Sequence, residues 1–306
     1  MRRSRSKAGL LLLTLAGAAS CGGGIARTLS AQGISRPQGA EFLLLPVGAR
    51  ATALGQAAAS EGGTTESIFW NPAGLAAVPR GEFAVHHFNA FFGTGDAIAI
   101  AGHSARIGTV ALAAYLVDYG DLDLTPPDGG PVPIGRITPR NVALALSYAT
   151  DIGAGVAVGV TYKLVQFRVD CAGDCHDVPA TAGTTHAVDV GVRYVASAAP
   201  VVVGISLRNL GFPLQVENSA QADPLPTRLS VGVAYEVVRP VPGANGEGFD
   251  VRVLADVQGV VGRGPFSPAM FVGVESGVGE LIRLRGGYAF TDSEANGPSI
   301  GLGMRL

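Results

Sequence analysis

The sequence predicts an all-β protein, a transmembrane antiparallel β-barrel of about twelve strands. Charged residues make up only 15% of the 306-residue chain, against about 25% in an ordinary soluble domain. The mean hydropathy is +0.33, yet no apolar run beyond the N-terminus reaches the ~20 residues of a membrane-spanning helix. The 44 glycines disfavour long helices and suit tight turns and closely packed strands. A secreted, soluble β-sandwich or β-barrel is the competing interpretation.

The N-terminus has the pattern of an export signal. Its positive charges are Arg2, Arg3, Arg5 and Lys7. The apolar stretch Gly9–Ala19 follows and is too short to span a bilayer, so we expect a cleaved signal peptide rather than an anchor. We place this peptide at residues 1–20, with a later cleavage after Ala31 as the alternative. Cys21 follows a weak lipobox, so lipidation of Cys21 and its removal with the signal both stay open.

The segment at residues 32–76 is predicted to be a short, compact, plug-like unit. It contains the motif residues Phe69, Trp70, Asn71, Pro72, Ala73 and Gly74. Asn71 can cap a helix, Pro72 suits the first helical position, and Gly74 permits a tight exit. Taken alone the motif is only a capped turn, but it comes immediately before a run of barrel-like strands.

Residues 82–306 are predicted to form the barrel, because segments of about ten residues alternate between apolar and small or polar residues. In Arg140–Thr150 and in Gly155–Val165, Val, Leu and Tyr alternate with Ala, Gly, Ser, Thr and Lys. Aromatic residues occur late in several strands, as in an interfacial girdle: Tyr148, Tyr162, Tyr194, Tyr235, Tyr288 and Phe290. The polar set of a lipid-facing wall would line a lumen, whereas in a soluble sandwich it would face water.

Charged residues of both signs fall on the non-lipid face of the predicted strands. They are Lys163, Asp189, Arg193, Arg208, Glu236, Arg252, Asp256, Glu275, Arg283, Arg285 and Arg305. Charges inside a barrel wall must be paired or hydrated. We therefore favour a structural network inside the lumen over a path for a substrate.

The remaining features give little indication of chemistry. Cys171 and Cys175 are predicted to form a disulfide that pins an exposed loop at residues 167–185, and residues 119–139 are predicted to be a solvated loop. No nucleophile elbow, phosphate loop, zinc-protease or dinucleotide motif occurs. We expect no enzymatic activity, catalytic residue, metal or cofactor. The net charge of −2 argues for no particular partner, and no basic patch indicates nucleic acid, so we expect no nucleic-acid partner.

Several motifs together resemble the PorV/PorQ family of outer-membrane barrels, which are related to the FadL-type fatty-acid transporters. The residues that carry the resemblance are Phe42–Gly55, Phe69–Ala76, Gly204–Gly211, Pro226–Tyr235 and Arg285–Tyr288. The resemblance implies a bacterial outer-membrane barrel of fourteen strands, with the N-terminal segment tucked into or across the lumen. It also implies either a role in type IX secretion or the passage of hydrophobic molecules.

The chain departs from this family at its C-terminus. It stops at Leu306, where family members add a further hairpin and where outer-membrane barrels commonly end in an aromatic residue, so a twelve-stranded variant or two missing strands are both open. The partners expected are outer-membrane lipid together with exported proteins, secretion components or hydrophobic small molecules. For a transporter, Phe42, Leu43, Leu44, Leu45, Phe69 and Trp70 would lie near the passage. A structural or adhesive surface barrel is the third alternative.

Overall fold

A computed structural model describes residues 38–126, 130–175, 181–216, 222–238, 248–261, 268–278, 281–291 and 296–304. The predicted signal peptide, Cys21 and Arg305 lie outside these ranges. None of the helices in the described part of the chain is both long and apolar enough to cross a membrane.

The described residues form fifteen strands and a few short helices. The strands are β1 Gly81–Ala90, β2 Gly93–Ser104, β3 Gly108–Asp118, β4 Leu122–Leu124, β5 Gly135–Gly153, β6 Val156–Gly173, β7 Thr181–Val195, β8 Val201–Gly211, β9 Leu214–Gln215, β10 Ala222–Asp223, β11 Arg228–Val238, β12 Phe249–Val260, β13 Ala269–Val278, β14 Ile282–Phe290 and β15 Gly297–Met304. The helices are α1 Ala49–Ala53 and α2 Ser67–Trp70, with 3₁₀ turns at Glu41–Leu44 and Pro72–Ala77.

Twelve of these strands form one continuous antiparallel path. Its order is β1-β2-β3-β5-β6-β7-β8-β11-β12-β13-β14-β15, with β4 paired to β5 outside the path, while β9 and β10 form a separate two-stranded sheet. The predicted all-β class and the count of about twelve strands are confirmed. Within the described ranges β1 and β15 are the two edges of the path, and no pairing joins them.

The wall alternates between two faces, as the sequence predicts. On β5, Leu144 and Leu146 are 48% and 51% exposed, while Ala143 and Ala145 between them are 6% and 7% exposed. The same alternation runs through the neighbouring strands. The outward face therefore carries mainly large apolar side chains, and the inward face mainly small or polar ones, together with a few buried large residues such as Tyr115, Leu254 and Phe271.

The N-terminal part of the chain explains why the inward face is buried. Glu82 on β1 accepts a hydrogen bond from the Thr65 amide at 3.0 Å. At the other edge of the path, the Ser299 hydroxyl on β15 donates to the Ala53 carbonyl at 3.0 Å. Because one short segment contacts both edges of the sheet, the sheet is rolled around it. We call residues 39–78 the luminal segment.

The two ends of the rolled sheet differ in their connections. At one end, which we call the loop end, the longest connections are residues 119–134 and 212–227. At the opposite turn end the strands are joined through residues 105–107, 154–155, 196–200, 239–248 and 279–281. The chain also enters β1 and leaves β15 at the turn end.

At the loop end, β5 and β6 extend beyond their neighbours. Their pairing continues for five residue pairs past Arg140↔Arg168, to Gly135↔Gly173, a distance of about 16 Å at ~3.3 Å per residue. Strand β4 pairs with this part of β5. The predicted loops at 119–139 and 167–185 are therefore wrong in part. Polar, proline-rich sequence lacks the apolar alternation of a lipid-facing strand, but backbone pairing does not require that alternation.

Candidate functional site

The motif centred on Asn71 fixes the luminal segment to the wall. Asn71 is fully buried, and its Oδ1 accepts a hydrogen bond from the Ala73 amide at 3.1 Å, which caps the following 3₁₀ turn. Its Nδ2 donates to the Ala59 carbonyl at 2.6 Å and to the Val192 carbonyl of β7 at 3.2 Å. One side chain therefore joins the turn, an earlier part of the segment and the wall.

The other motif residues show what the turn requires. Pro72 occupies the first position of the 3₁₀ turn, as predicted, and Ala73 is buried. The prediction of a tight exit at Gly74 is wrong, because the turn continues through Gly74 to Ala77. A Cβ atom at Gly74 would lie 2.5 Å from the Glu61 carbonyl oxygen. Glycine is needed here for close backbone approach.

Glycines of the wall let the segment reach the strand backbones. Cβ atoms at Gly159 and Gly191 would overlap with Pro72 and with Asn71, and one at Gly204 would overlap with the Ala59 carbonyl. These three positions lie on β6, β7 and β8. The inward face of these strands is therefore shaped to the luminal segment.

Trp70 and Phe69 are held by a buried cation. The Trp70 indole Nε1 donates to the Val47 carbonyl at 2.9 Å. The Arg208 guanidinium lies 5.0 Å from the Trp70 ring centroid, a cation–π contact, and donates to the Phe69 carbonyl at 2.9 Å. The Phe69 ring packs edge-on against Tyr115, with centroids 6.2 Å apart.

Five charged residues form a cluster between the segment and strands β12, β13 and β14. Its members are Arg50, Glu61, Arg252, Glu275 and Arg285. Glu275 forms ion pairs with Arg50 at 3.1 Å and with Arg285 at 2.6 Å. Glu61 forms ion pairs with Arg252 at 2.6 Å and also with Arg50. We call this group the arginine–glutamate cluster. It links two residues of the segment to three predicted lumen charges.

A second buried group lies within the wall itself. The Lys163 ammonium is 2.6 Å from Asp189 and donates to Asn209 Oδ1 at 2.9 Å. Asp189 also accepts the Asn209 amide at 2.7 Å. These three residues join β6, β7 and β8, beside Arg208.

The remaining predicted lumen charges have separate surroundings. Asp256 accepts the amides of Ala58 and Ala59 at 2.8 Å and 2.7 Å. Arg193 donates to the Ser60 carbonyl at 2.9 Å. Arg283 pairs with Asp250, and Glu236 is half-buried near the turn end of β11. The predicted charges therefore occupy several groups and not one continuous path.

Two members of the arginine–glutamate cluster, Arg50 and Glu61, were missed in the sequence. Both lie in an Ala- and Gly-rich stretch without strand periodicity, which hides the direction of their side chains. Their only signal is that they are charges in an otherwise small and apolar segment. Glu66, nearby, accepts the Ala51 amide at 3.3 Å. Burial raises the pKa of Glu66, although Arg50 and the Ala51 amide oppose the shift.

A small cavity remains beside Trp70. Its volume is about 20 Å³, enough for a single water. It is lined by Leu43, Leu45, Val47, Phe69, Trp70, Tyr115, Ala143, Ala145, Lys163 and Arg208. Of the residues expected near a passage, Phe42 and Leu44 do not line it, and Phe42 packs against Tyr115 with ring centroids 5.8 Å apart. Within the described ranges, no three His, Cys, Asp or Glu side chains are grouped to hold a metal ion.

Exposed ion pairs and a disulfide connect parts of the extended strands at the loop end. Arg136 pairs with Asp121 at 3.3 Å and with Asp123 at 3.6 Å, which ties β5 to β4 and to the residue before it. Cys171 and Cys175 are joined by a disulfide at the end of β6. We call residues 121–124, 135–139 and 169–175 the β4–β6 extension.

Comparison with known proteins identifies a family. The UPF0164 pattern, described as an uncharacterised protein family, matches residues 17–257. No curated protein matches the chain. The crystal structure of the toluene transporter TodX from Pseudomonas putida is 11% identical, with a TM-score of 0.49 over 79% of this chain and 82% of that chain. The translocator domain of the autotransporter NalP from Neisseria meningitidis is 11% identical, with a TM-score of 0.34 over 74% and 86%. Since the family pattern spans most of its length, the chain belongs to the UPF0164 family.

Proposed function

We propose that the protein is a β-barrel of the bacterial outer membrane, closed inside by its luminal segment, that assists the export or surface delivery of proteins through its loop end. The observation that carries the role is the β4–β6 extension at the end of a filled barrel. The membrane location, the filled interior and the extension each contribute one step.

The membrane location is supported by the outward face of the wall. Ile205, Val231, Val257, Met270 and Phe290 are register neighbours on five successive strands, and each is 40–51% exposed. A soluble monomer rarely exposes a continuous apolar surface of more than a few hundred Å². In a bilayer the same surface would contact lipid acyl chains, which are apolar as well.

The orientation follows from the connections. Outer-membrane barrels have short periplasmic turns and longer extracellular loops. The loop end, with the β4–β6 extension, would then face the cell exterior, and the chain would enter β1 from the periplasm after export. A disulfide such as Cys171–Cys175 suits either exported compartment.

The filled interior argues against an open solute pore. The luminal segment contacts strands from β1 to β15, and several of its backbone atoms touch wall glycines. The cavity beside Trp70, which the segment lines, holds about one water. A barrel without an open lumen acts through its surfaces, and the β4–β6 extension is the part that stands clear of the apolar band.

The test replaces residues 121–134 with a short Gly-Ser linker, which removes β4 and leaves the twelve-strand path intact. The matched control replaces residues 239–248, at the turn end. Proteins on intact cells are labelled with biotin and compared by mass spectrometry among wild type, a null strain and both variants. We expect the null strain and the β4 variant to lose the same surface proteins, with the control unchanged. An unchanged set of surface proteins in the null strain would overturn the proposed role.

The passage of hydrophobic small molecules is the second candidate, favoured by the largely apolar lining of the cavity beside Trp70, which Lys163 and Arg208 also contact. It requires the luminal segment to move, since the present cavity admits no such molecule. Uptake of a hydrophobic fluorescent dye into liposomes that contain the wild-type protein would favour this candidate. Dye uptake no faster than into protein-free liposomes would exclude it.

A further inference from the structure

A concave apolar groove lies on the outward face of the wall, across β1, β2, β3, β5 and β6. Its volume is about 580 Å³, within the ~300–1,000 Å³ range of small-molecule sites. The groove is deepest at Ala114, because its register neighbours on the adjacent strands, Ile98 and Leu144, have longer side chains. A single methyl group between two long side chains leaves a depression. Leu112, Leu146 and Tyr162 form its side toward the turn end.

Two arginines lie on the same outward face, toward the loop end. Arg140 and Arg168 are register partners on β5 and β6. Each is four residues from a groove residue on its own strand, Leu144 and Leu164, which is about 13 Å at ~3.3 Å per residue. An even spacing along a strand keeps side chains on one face. The arginines therefore lie on the same face as the groove, on its loop-end side.

The present partners of these arginines are weakly bound. Arg140 pairs with Asp118 at 3.0 Å and Arg168 with Asp170 at 2.7 Å. The arginine side chains are 48% and 61% exposed. Exposed ion pairs contribute little to stability, and guanidinium groups bind phosphate through paired hydrogen bonds. Both arginines can therefore exchange a carboxylate for a phosphate at small cost.

We propose that this groove holds an acyl chain of an outer-leaflet lipid whose phosphate is bound by Arg140 and Arg168. The site is apolar toward the turn end and cationic toward the loop end, which is the polarity of a lipid in the outer leaflet. It opens sideways on the outward face rather than into the interior, so its ligand arrives from the membrane plane. The inference rests on the proposed membrane location and not on the proposed role in protein export.

The test uses native mass spectrometry of the full-length protein in mild detergent, with phosphatidic acid added as the probe and diacylglycerol of the same chains, which carries no phosphate, as the comparison. Ala114→Leu fills the groove, and Ala255→Leu makes the same change at an outward position on β12. Arg140→Gln with Arg168→Gln removes the phosphate site, and Arg136→Gln is its control. We expect each test variant to lower phosphatidic acid retention about tenfold, equivalent to about 1.4 kcal/mol, with controls unchanged.

Equal phosphatidic acid retention by Ala114→Leu and Ala255→Leu would overturn the proposal that the groove holds the acyl chain. Unchanged retention after both arginine substitutions, or equal retention of the two lipids by wild type, would overturn the phosphate site. The mobility shift of each variant on boiling confirms that it is folded. Because the lipid measurement uses detergent-solubilised protein, it is separate from the surface labelling of intact cells that tests the proposed function.

Discussion

Arg50 contacts Glu275 at two points, with its Nε and Nη2 each 3.1 Å from a carboxylate oxygen. The two residues are 225 positions apart in the chain, one in the luminal segment and one on β13. Glu275 also binds Arg285 and lies within 3.8 Å of Arg252. The contact therefore connects the luminal segment to β13, and the interior is complete only after β13 and β14 have assembled.

Glu275→Gln should destabilise the protein, because it leaves Arg50, Arg252 and Arg285 close together with a single carboxylate. Removing one partner of a buried ion pair costs about 3–5 kcal/mol, and we expect about 3 kcal/mol here since these arginines are only partly buried. The check is the temperature of preheating at which the folded form of the protein disappears from the gel. Arg136→Gln, which removes an exposed pair, should change stability by less than about 1 kcal/mol. Equal midpoints for both variants would contradict the cluster's role.

Asn71→Asp separates the two functions of the Asn71 side chain. The aspartate keeps the oxygen that caps Ala73, but it replaces the Nδ2 donor with an acceptor facing the carbonyls of Ala59 and Val192. A buried group left without its partner costs about 1–3 kcal/mol. We therefore expect Asn71→Asp to be at least as destabilising as Asn71→Ala. Wild-type stability in the aspartate variant would show that capping alone matters, and Asn89→Ala on the exposed face of β1 is the neutral control.

The sequence predicts the wall better than it predicts the interior. Alternation on β5 and β6 is a local property with a period of two, so the faces of Leu144 and Lys163 follow directly from the spacing. The partners of the inward charges cannot be derived from the spacing, because Arg50 and Glu61 lie in a segment without periodicity. This segment is also far from β12 and β13 in the chain. The β4–β6 extension was missed for a related reason. Outside the membrane, a strand needs only backbone pairing, and its polar sequence resembles a loop.

Glu66→Gln should alter the pH dependence of stability. The pKa of Glu66 is raised by burial above its ordinary value of 4.5, so the folded state binds this proton at a higher pH than the unfolded chain does. Stability of the wild type relative to Glu66→Gln should therefore rise as pH falls through the folded pKa toward about 4.5. Unfolding midpoints of both proteins from pH 8 down to about pH 4.5 measure this difference. A difference that stays constant across the range would contradict it, and Glu41→Gln, at an exposed site, is the control.

Gly191→Ala should loosen the luminal segment. The added methyl group would overlap with Asn71 Oδ1, and overpacking a tight site costs about 1–3 kcal/mol. Gly102→Ala on β2 is a matched control, because nothing lies within 4 Å of the added atom. We expect faster proteolysis of the segment in Gly191→Ala only, measured by tryptic cleavage after Arg50, which is paired with Glu275 while the segment is in place. Equal cleavage rates in the two variants would mean that the contact between Gly191 and Asn71 does not hold the segment.

Deletion of residues 32–76 tests whether the luminal segment closes the barrel. Eight strands are filled by their own side chains, whereas sixteen or more leave a water channel. Twelve strands with small inward residues such as Ala143 and Ala145 should leave an open lumen once the segment is removed. We therefore expect the deletion variant to conduct ions in a planar bilayer far better than the wild type. Its mobility shift on boiling must first show that it is folded, and an unchanged conductance in a folded variant would exclude a plug.

Should the deletion prevent folding, a protease site inserted between Pro79 and Arg80 allows the segment to be cut after assembly and washed out with mild denaturant. Conductance that stays at the wild-type level after the segment has been removed in this way would lead to the same conclusion.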